Sequence, residues 1–229
     1  MSILSARNCP CSHPCDSSEL NQLLMQHGEC VRYKRGEVLW KQDEPADWMV
    51  AVCTGTLKLT REWPGGRDAI LDLVHRGQLV GAGAALPEAH HSSTCSVLAA
   101  GKGIRVHRQR LQTLLQQRPD LASELLKLSH TRLQSFLKRL EEMAHGPVEQ
   151  RLARVLLRIS SDVGLPDSRG LFVPLRLTRG DLAGMVGCRV ETTIRVLTRW
   201  QREGLVETRR EGLVIRNKQM LTTFMDTPN

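Results

Sequence analysis

Aromatic side chains are scarce in this chain: one tyrosine, three phenylalanines and four tryptophans are spread over 229 residues. Its interior must therefore be packed mainly from aliphatic side chains. Long apolar runs are missing as well. No stretch reaches the roughly 18 apolar residues of a membrane-crossing helix, and the opening residues, MSILSAR, lack the apolar segment of a secretory leader. The expectation is a cytoplasmic protein with no membrane partner. Enzyme signatures are absent too: there is no glycine loop for a nucleotide, no zinc-hydrolase helix and no convincing nucleophile–base pair. An enzyme is not expected. Acidic residues are in deficit, 24 Asp and Glu against 32 Lys and Arg, which leaves a net charge of +8 and a pI near 9.5. Such an excess favours an anionic partner, nucleic acid ahead of a membrane surface or an acidic protein.

What is present is ordinary for a globular protein of one or two domains, 41% hydrophobic and 24% charged. Cys9, Cys11 and Cys15 lie in the segment CPCSHPC, whose two prolines exclude a helix interior. Leucines 20, 23 and 24 then give helical spacing over Ser18 to Gln26, with Ser17 or Ser18 as N-cap. From about Cys30 to His107 the pattern changes to short apolar runs broken by turn chemistry, as in Val38–Trp40, Trp48–Cys53, Thr56–Thr60, Ala69–Val74 and Cys95–Ala99. Glycines such as Gly55, Gly81 and Gly101 mark corners, Pro64-Gly65-Gly66 is the clearest hairpin tip, and the whole reads as a small antiparallel barrel or roll.

Residues 119 to 144 give one long helix, opened by Pro119 and ended by Gly146-Pro147. Leu126, Leu133 and Leu140 recur every seven residues, with Ser129, Phe136 and Met143 three places after each. That a/d pattern predicts pairing with a second copy through Leu126, Leu133, Phe136, Leu140 and Met143; packing of the helix wholly on its own barrel is the alternative.

A second module follows Pro147. Val148 to Val163 is amphipathic, and helices over Thr178 to Val186 and Val190 to Glu203 are separated by Gly187-Cys188-Arg189. Leu205–Thr208 and Leu213–Arg216 read as a hairpin with Arg209–Gly212 at its tip, which completes a winged helix-turn-helix. Thr178 and Asp181 suit a helix start. On the second helix Thr193, Val196, Leu197 and Trp200 form the face to be buried, and Val190, Glu191, Ile194, Arg195, Thr198 and Arg199 the face to be exposed. Arg195 can donate twice to guanine, Glu191 can accept from the cytosine amino group, and Ile194 suits only a thymine methyl. Arg179, Arg189, Arg199, Arg202, Arg209 and Arg210 surround this face as phosphate contacts, so the predicted DNA-binding set is Thr178, Arg179, Arg189, Val190, Glu191, Ile194, Arg195 and Arg199.

The segment 177–197, LTRGDLAGMVGCRVETTIRVL, resembles the helix-turn-helix of the CRP/FNR superfamily of bacterial transcription regulators. KRGEVL at 34–39 and QDEPADW at 42–48 resemble that family's β-roll, and GQLVG at 77–81 followed by His90-His91 is closer to the FNR branch. The resemblance implies an α+β chain in four parts: a cysteine-rich arm and short helix at 1–29, a β-roll sensor of cyclic-nucleotide-binding type at 30–118, a dimerisation helix at 119–146, and a winged helix-turn-helix at 147–229. It implies a homodimer on double-stranded DNA, reading a palindromic operator with half-sites one helical turn apart, and RNA polymerase as a further partner. It implies that Glu191 and Arg195 read a G·C pair; Ile194 stands where small residues are usual.

The input is less constrained. A cyclic nucleotide needs a Gly-Glu pair and a later Arg-Ser, but the corresponding stretches read Gly81-Ala82-Gly83 and Ser92-Ser93-Thr94, so none is expected. Three thiolates within seven residues can supply ligands to an iron–sulfur cluster, a 4Fe-4S cluster by likeness to the FNR type, although the C-x-C-x3-C spacing departs from that family. Ile104 occupies that family's fourth-ligand position; a turn at Ala100-Gly101 would place Cys95 on the same face, giving Cys9, Cys11, Cys15 and Cys95 as ligands. Zinc, a dithiol–disulfide switch, haem on His90, His91 or His13, and an inert arm remain alternatives, with Cys30 a weaker ligand and Cys53 and Cys188 buried small hydrophobes. The expected regulator, more an activator than a repressor, responds to oxygen, nitric oxide or redox state, the arm altering the packing of helix 119–144. A redox or electron-transfer protein is the competing class.

Overall fold

A computed structural model of the chain describes residues 4–5, 19–63 and 67–226. They fall into two compact units, one of residues 1–66 with 71–136 and one of residues 67–70 with 137–229. The architecture is a β-roll, a long helix and a helix-turn-helix module, as the α+β reading expects.

The first unit begins with β1 (Leu4–Ser5), α1 (Glu19–His27), β2 (Glu29–Tyr33) and β3 (Val38–Trp40). β4 (Trp48–Trp63), β5 (Arg67–Val74), β6 (Leu79–Val80) and β7 (Thr94–His107) follow, with a 3-10 turn at Ala82–Ala85 between the last two. The strands order as β1-β2-β7-β4-β5, with β3 also on β7 and β6 also on β4. β4 and β7 are its spine, paired antiparallel from Trp48↔His107 to Thr60↔Thr94. The expected turn at Ala100-Gly101 is not there. β7 continues through it as one strand, and the register with β4 shifts at this place, Thr54↔Lys102 giving way to Thr56↔Ala99. A Cβ on Gly101 would lie 2.0 Å from the Thr54 carbonyl oxygen, so glycine here permits close strand approach rather than a reversal. Gly55, expected as a corner, takes a positive φ of 83° within β4 and serves the same irregularity.

Alternation along these strands sorts their side chains into two cores. Val50, Val52, Leu57, Leu59, Cys95 and Val97 join Val31, Tyr33 and Trp40 in one. Met49, Ala51, Cys53, Ile104 and Val106 join Cys30 in the other, which also receives Leu20 and Leu24 of α1, Leu111 of α2 (Arg108–Gln117), and Leu121 and Leu125 of α3 (Pro119–Ala144). His107 caps α2, accepting from the Gln109 amide at 3.4 Å. The amino half of α3 thus belongs to the roll's own core. Glu124 of α3 accepts from the Leu20 amide at 3.0 Å, and Arg132 of α3 donates to Asp72 of β5 at 3.1 Å and to the Leu79 carbonyl.

The second unit contains α4 (Val148–Val163), β8 (Leu165–Asp167), β9 (Gly170–Val173), α5 (Arg179–Val186), α6 (Val190–Arg202), β10 (Val206–Arg209), β11 (Gly212–Ile215) and α7 (Lys218–Asp226). Leu152, Val155, Leu156 and Ile159 of α4 are all buried, the face that their spacing predicts. The expected two-stranded wing is half of a four-stranded sheet ordered β10-β11-β9-β8. Gln150 of α4 donates to the Met225 carbonyl of α7 at 3.0 Å, and Trp200 of α6, fully buried, packs on Phe224 at 5.4 Å between ring centroids.

Candidate nucleic-acid interface

The reading helix is set by local chemistry at both ends of α5. Thr178 is its N-cap: the hydroxyl accepts from the Asp181 amide at 2.9 Å while the Asp181 carboxylate accepts from the Thr178 amide at 2.8 Å. This capping box satisfies two helix-end amides that otherwise lack partners. Gly187 ends α5 at φ 64°, ψ 45°, the left-handed conformation that lets the chain reverse within three residues. Its amide and that of Cys188 both reach the Ala183 carbonyl. Cys188, expected as a buried hydrophobe, is only half-buried; its thiol sits 3.2 Å from the Thr193 hydroxyl and 3.4 Å from the Arg189 carbonyl.

α6 has the required two faces. Thr193, Val196, Leu197 and Trp200 are buried, and Arg189, Val190, Glu191, Ile194, Arg195 and Arg199 are exposed. Among the described residues no side chain caps its amino end. Glu191 and Arg195 lie one turn apart on the exposed face, so an acceptor and a two-pronged donor point outward together.

The flanking arginines are not equivalent. Arg199 is held by Glu203 at 3.6 Å, one turn on in the same helix, and by Glu149 of α4, a partner that nothing in the local sequence signals. Arg209 lies within the wing: it donates to Asp167 at 2.7 Å and to Glu207 at 3.1 Å, and its hydrogen bonds hold both carboxyls below the usual carboxylate range. Arg209 therefore braces β10 against β8 rather than standing free for phosphate. Arg179 donates to Thr208 at 3.0 Å. Arg189, Arg202 and Arg210 are exposed, Arg210 at 91% of its side chain. Thr178, predicted as a DNA contact, spends its hydroxyl on the cap.

The heptad stripe of α3 stands in solvent. Leu126 is 71% exposed, Leu133 52% and Leu140 44%, with Phe136 and Met143 half-buried. Leu121 and Leu125, one turn before the stripe, are buried in the roll. The buried apolar side chains of α3 thus end at Leu125, directly before the stripe, although Arg132 still ties the helix to the roll.

The cysteines divide differently from expectation. Cys9, Cys11, Cys15 and His13 lie outside the described residues. Cys95 does not share a face with Ile104: the two are nine residues apart on one continuous strand, an odd spacing that sends them to opposite cores. Cys95 is completely buried, and burial pushes its thiol up to about 12. Cys30 is the residue paired with Ile104, and Leu4 of β1 pairs with Cys30 in turn. His91 is not a solvated loop residue. It is buried, with its ring stacked on Trp40 at 4.2 Å, while His90 is exposed. Ala82 lies in the 3-10 turn, and Ser92 is exposed, its carbonyl accepting from Arg61.

Two family models match the chain: a cyclic nucleotide-binding domain over residues 30–118 and a Crp-like helix-turn-helix domain over residues 150–224. A CRP-like cAMP-activated global transcriptional regulator of Mycobacterium tuberculosis is 22% identical over 191 residues, covering 83% of this chain and 85% of that protein. The fumarate and nitrate reduction regulatory protein of Salmonella typhi is 24% identical over 226 residues, covering 96% and 90%. Among solved structures, the c-di-GMP responsive global regulator CLP of Xanthomonas campestris superposes with a TM-score of 0.73 at 23% identity, over 88% of this chain and all of that one. With both domains present in this order around a long helix, the chain belongs to the CRP/FNR family of transcription regulators and is not an enzyme.

Proposed function

We propose that the chain is a homodimeric, sequence-specific regulator that grips a twofold-symmetric DNA site and acts on RNA polymerase, as an activator, in the cytoplasm. One observation carries the reading: Glu191 and Arg195 are exposed together on a helix whose other face is fully buried. In a major groove of about 12 Å that face meets base edges. Arg195 donates two hydrogen bonds to guanine O6 and N7, and Glu191 accepts from cytosine N4. Arg189, Arg202 and Arg210 neutralise phosphates and fix register without choosing bases. The leucine stripe of α3 supports pairing of two copies, and the two reading helices of such a pair meet half-sites about one DNA turn, roughly 34 Å, apart.

Selection of the full chain against a random duplex pool tests this. An inverted repeat with a G·C pair in each half, bound with steep salt dependence, is the expected product. Enrichment of no sequence, or of a single unrepeated site, refutes it; an electron carrier behaves in that way.

The proposed input is redox chemistry at the arm thiols Cys9, Cys11 and Cys15, soft donors suited to an iron–sulfur cluster. Cys95 does not fit as a fourth donor, for the reasons of face and burial given above, and no step of the DNA reading runs through a cluster. The pairing of Leu4 with Cys30 supports an arm that starts beside the roll's helix-facing core. Anaerobic purification with visible absorption, iron and sulfide counts is the test. A colourless, iron-free protein whose operator binding ignores oxidants removes this input.

A further inference from the structure

Two apolar side chains stand on the outer face of α6. Val190 is 40% exposed and Ile194 45%. Four residues apart, they form one short row along the helix, beside the row of Glu191 and Arg195. Folding gives no reason for them, because the inward face is complete without them in Thr193, Val196, Leu197 and Trp200. Helix formation gives none either: both are β-branched, and an exposed helix position is better served by alanine, lysine or glutamate. Solubility argues against them.

A major groove offers one apolar group on its base edges, the C5-methyl of a pyrimidine. Thymine carries it ordinarily, and 5-methylcytosine presents the same methyl at the same place. Ile194 and Arg195 are successive residues, turned about 100° and 1.5 Å apart along the axis, so the base that Ile194 meets neighbours the pair that Arg195 reads. We infer that Ile194, supported by Val190 one turn earlier, is a specificity-determining contact to pyrimidine C5-methyl groups beside the G·C pair. This rests on the DNA-reading assignment of the same helix. Discrimination is two-sided. The methyl gains an apolar neighbour, whereas an unmethylated cytosine brings its amino group against a side chain that accepts no hydrogen bond.

The test uses the full chain and the duplex that it selects from a random pool, remade with thymine, uracil, cytosine or 5-methylcytosine at the positions flanking the G·C pair. Uracil differs from thymine by the methyl alone and leaves the protein untouched. The wild-type chain should bind the uracil duplex about fourfold more weakly per methyl removed, and about sixteenfold when the same methyl is lost from both half-sites. 5-Methylcytosine should recover part of the affinity that cytosine loses. In Ile194→Ser, whose exposed position tolerates the change, the thymine-to-uracil difference should shrink towards one at its position while the G·C preference persists. Equal wild-type affinity for thymine and uracil overturns the inference and leaves the DNA reading standing. So does a difference that survives unchanged in both Ile194→Ser and Val190→Ser. A pool from which nothing is selected overturns the DNA reading itself.

Discussion

Leu133→Lys tests whether the stripe on α3 is the dimer face. Leu133 sits mid-stripe and is 52% exposed in the single chain, so lysine at this position meets water, keeps helix propensity and leaves the fold intact. In a symmetric pair the substitution enters twice across the axis. Two half-exposed leucines amount to about one fully buried leucine, on the order of 1.5–3 kcal/mol of apolar burial. Two ammonium groups brought together at an apolar seam add repulsion and desolvation of at least about 1 kcal/mol. The dimer constant should therefore weaken about a hundredfold or more, since each 1.4 kcal/mol is about tenfold. Sedimentation equilibrium over a concentration series measures the constant, and far-ultraviolet circular dichroism confirms that helix content is kept. Binding to a full operator should fall with dimerisation, while weak binding to an isolated half-site stays as it was. A variant that sediments as the same dimer over the same concentrations, with unchanged operator affinity, refutes the assignment.

Arg195→Ala should cost about 1–3 kcal/mol at the G·C position and relax selection there, whereas Arg189→Ala should weaken all sequences alike and lower the salt slope by about one per protomer; fluorescence anisotropy against a panel of duplexes separates the two. The roll should lose stability in mild acid through His91. Burial against Trp40 lowers its pKa below 6.5, outweighing the opposite pull of Glu44 and Asp47, so the unfolded chain takes up the proton first. That contribution is full above the unfolded value of 6.5 and is lost as pH falls from there to the folded value; thermal melts should show the loss in wild type and not in His91→Phe, and parallel pH profiles count against it. With Cys9, Cys11 and Cys15 replaced by serine, one thiol per native chain, Cys188, should react promptly with an aromatic disulfide reagent. Cys30, Cys53 and Cys95 are buried and should react only on unfolding, and rapid labelling of Cys95 contradicts its placement.

The helix-turn-helix was legible because every signal for it is local. Capping by Thr178 and Asp181, the reversal at Gly187 and the 3.6-residue period of α6 all lie within 25 residues, and each appears in the structure as read. The roll was legible in kind but not in register. Gly55 and Gly101 read as corners, since glycine at a break between apolar runs usually turns the chain. Here the two strands pass so close that a side chain is excluded, and the strands continue. That misreading carried the ligand geometry with it, because a hairpin brings residues of the two arms face to face whereas a continuous strand separates odd spacings. Arg209 and Arg199 looked like phosphate contacts for a related reason. Beside the local partners Glu207 and Glu203, each is held by a distant carboxylate, Asp167 and Glu149, 42 and 50 residues away and beyond the reach of any local pattern.

The segments that flank the arm pack towards α3. The arm is bracketed by Leu4, paired with Cys30 on β2, and by Glu19 at the start of α1. Cys30 and the α1 leucines Leu20 and Leu24 share one apolar cluster with Leu121 and Leu125 of α3, and Glu124 holds the Leu20 amide. Both flanks of the arm therefore bear on the amino half of α3. Close-packed interiors transmit displacement rather than absorb it. Leu121 and Leu125 are anchored in the roll whereas Leu126 and Leu133, farther along the same helix, are exposed. Arg132, tied to Asp72 and the Leu79 carbonyl, is a second fastening of α3 to the roll, made by the protein's own groups.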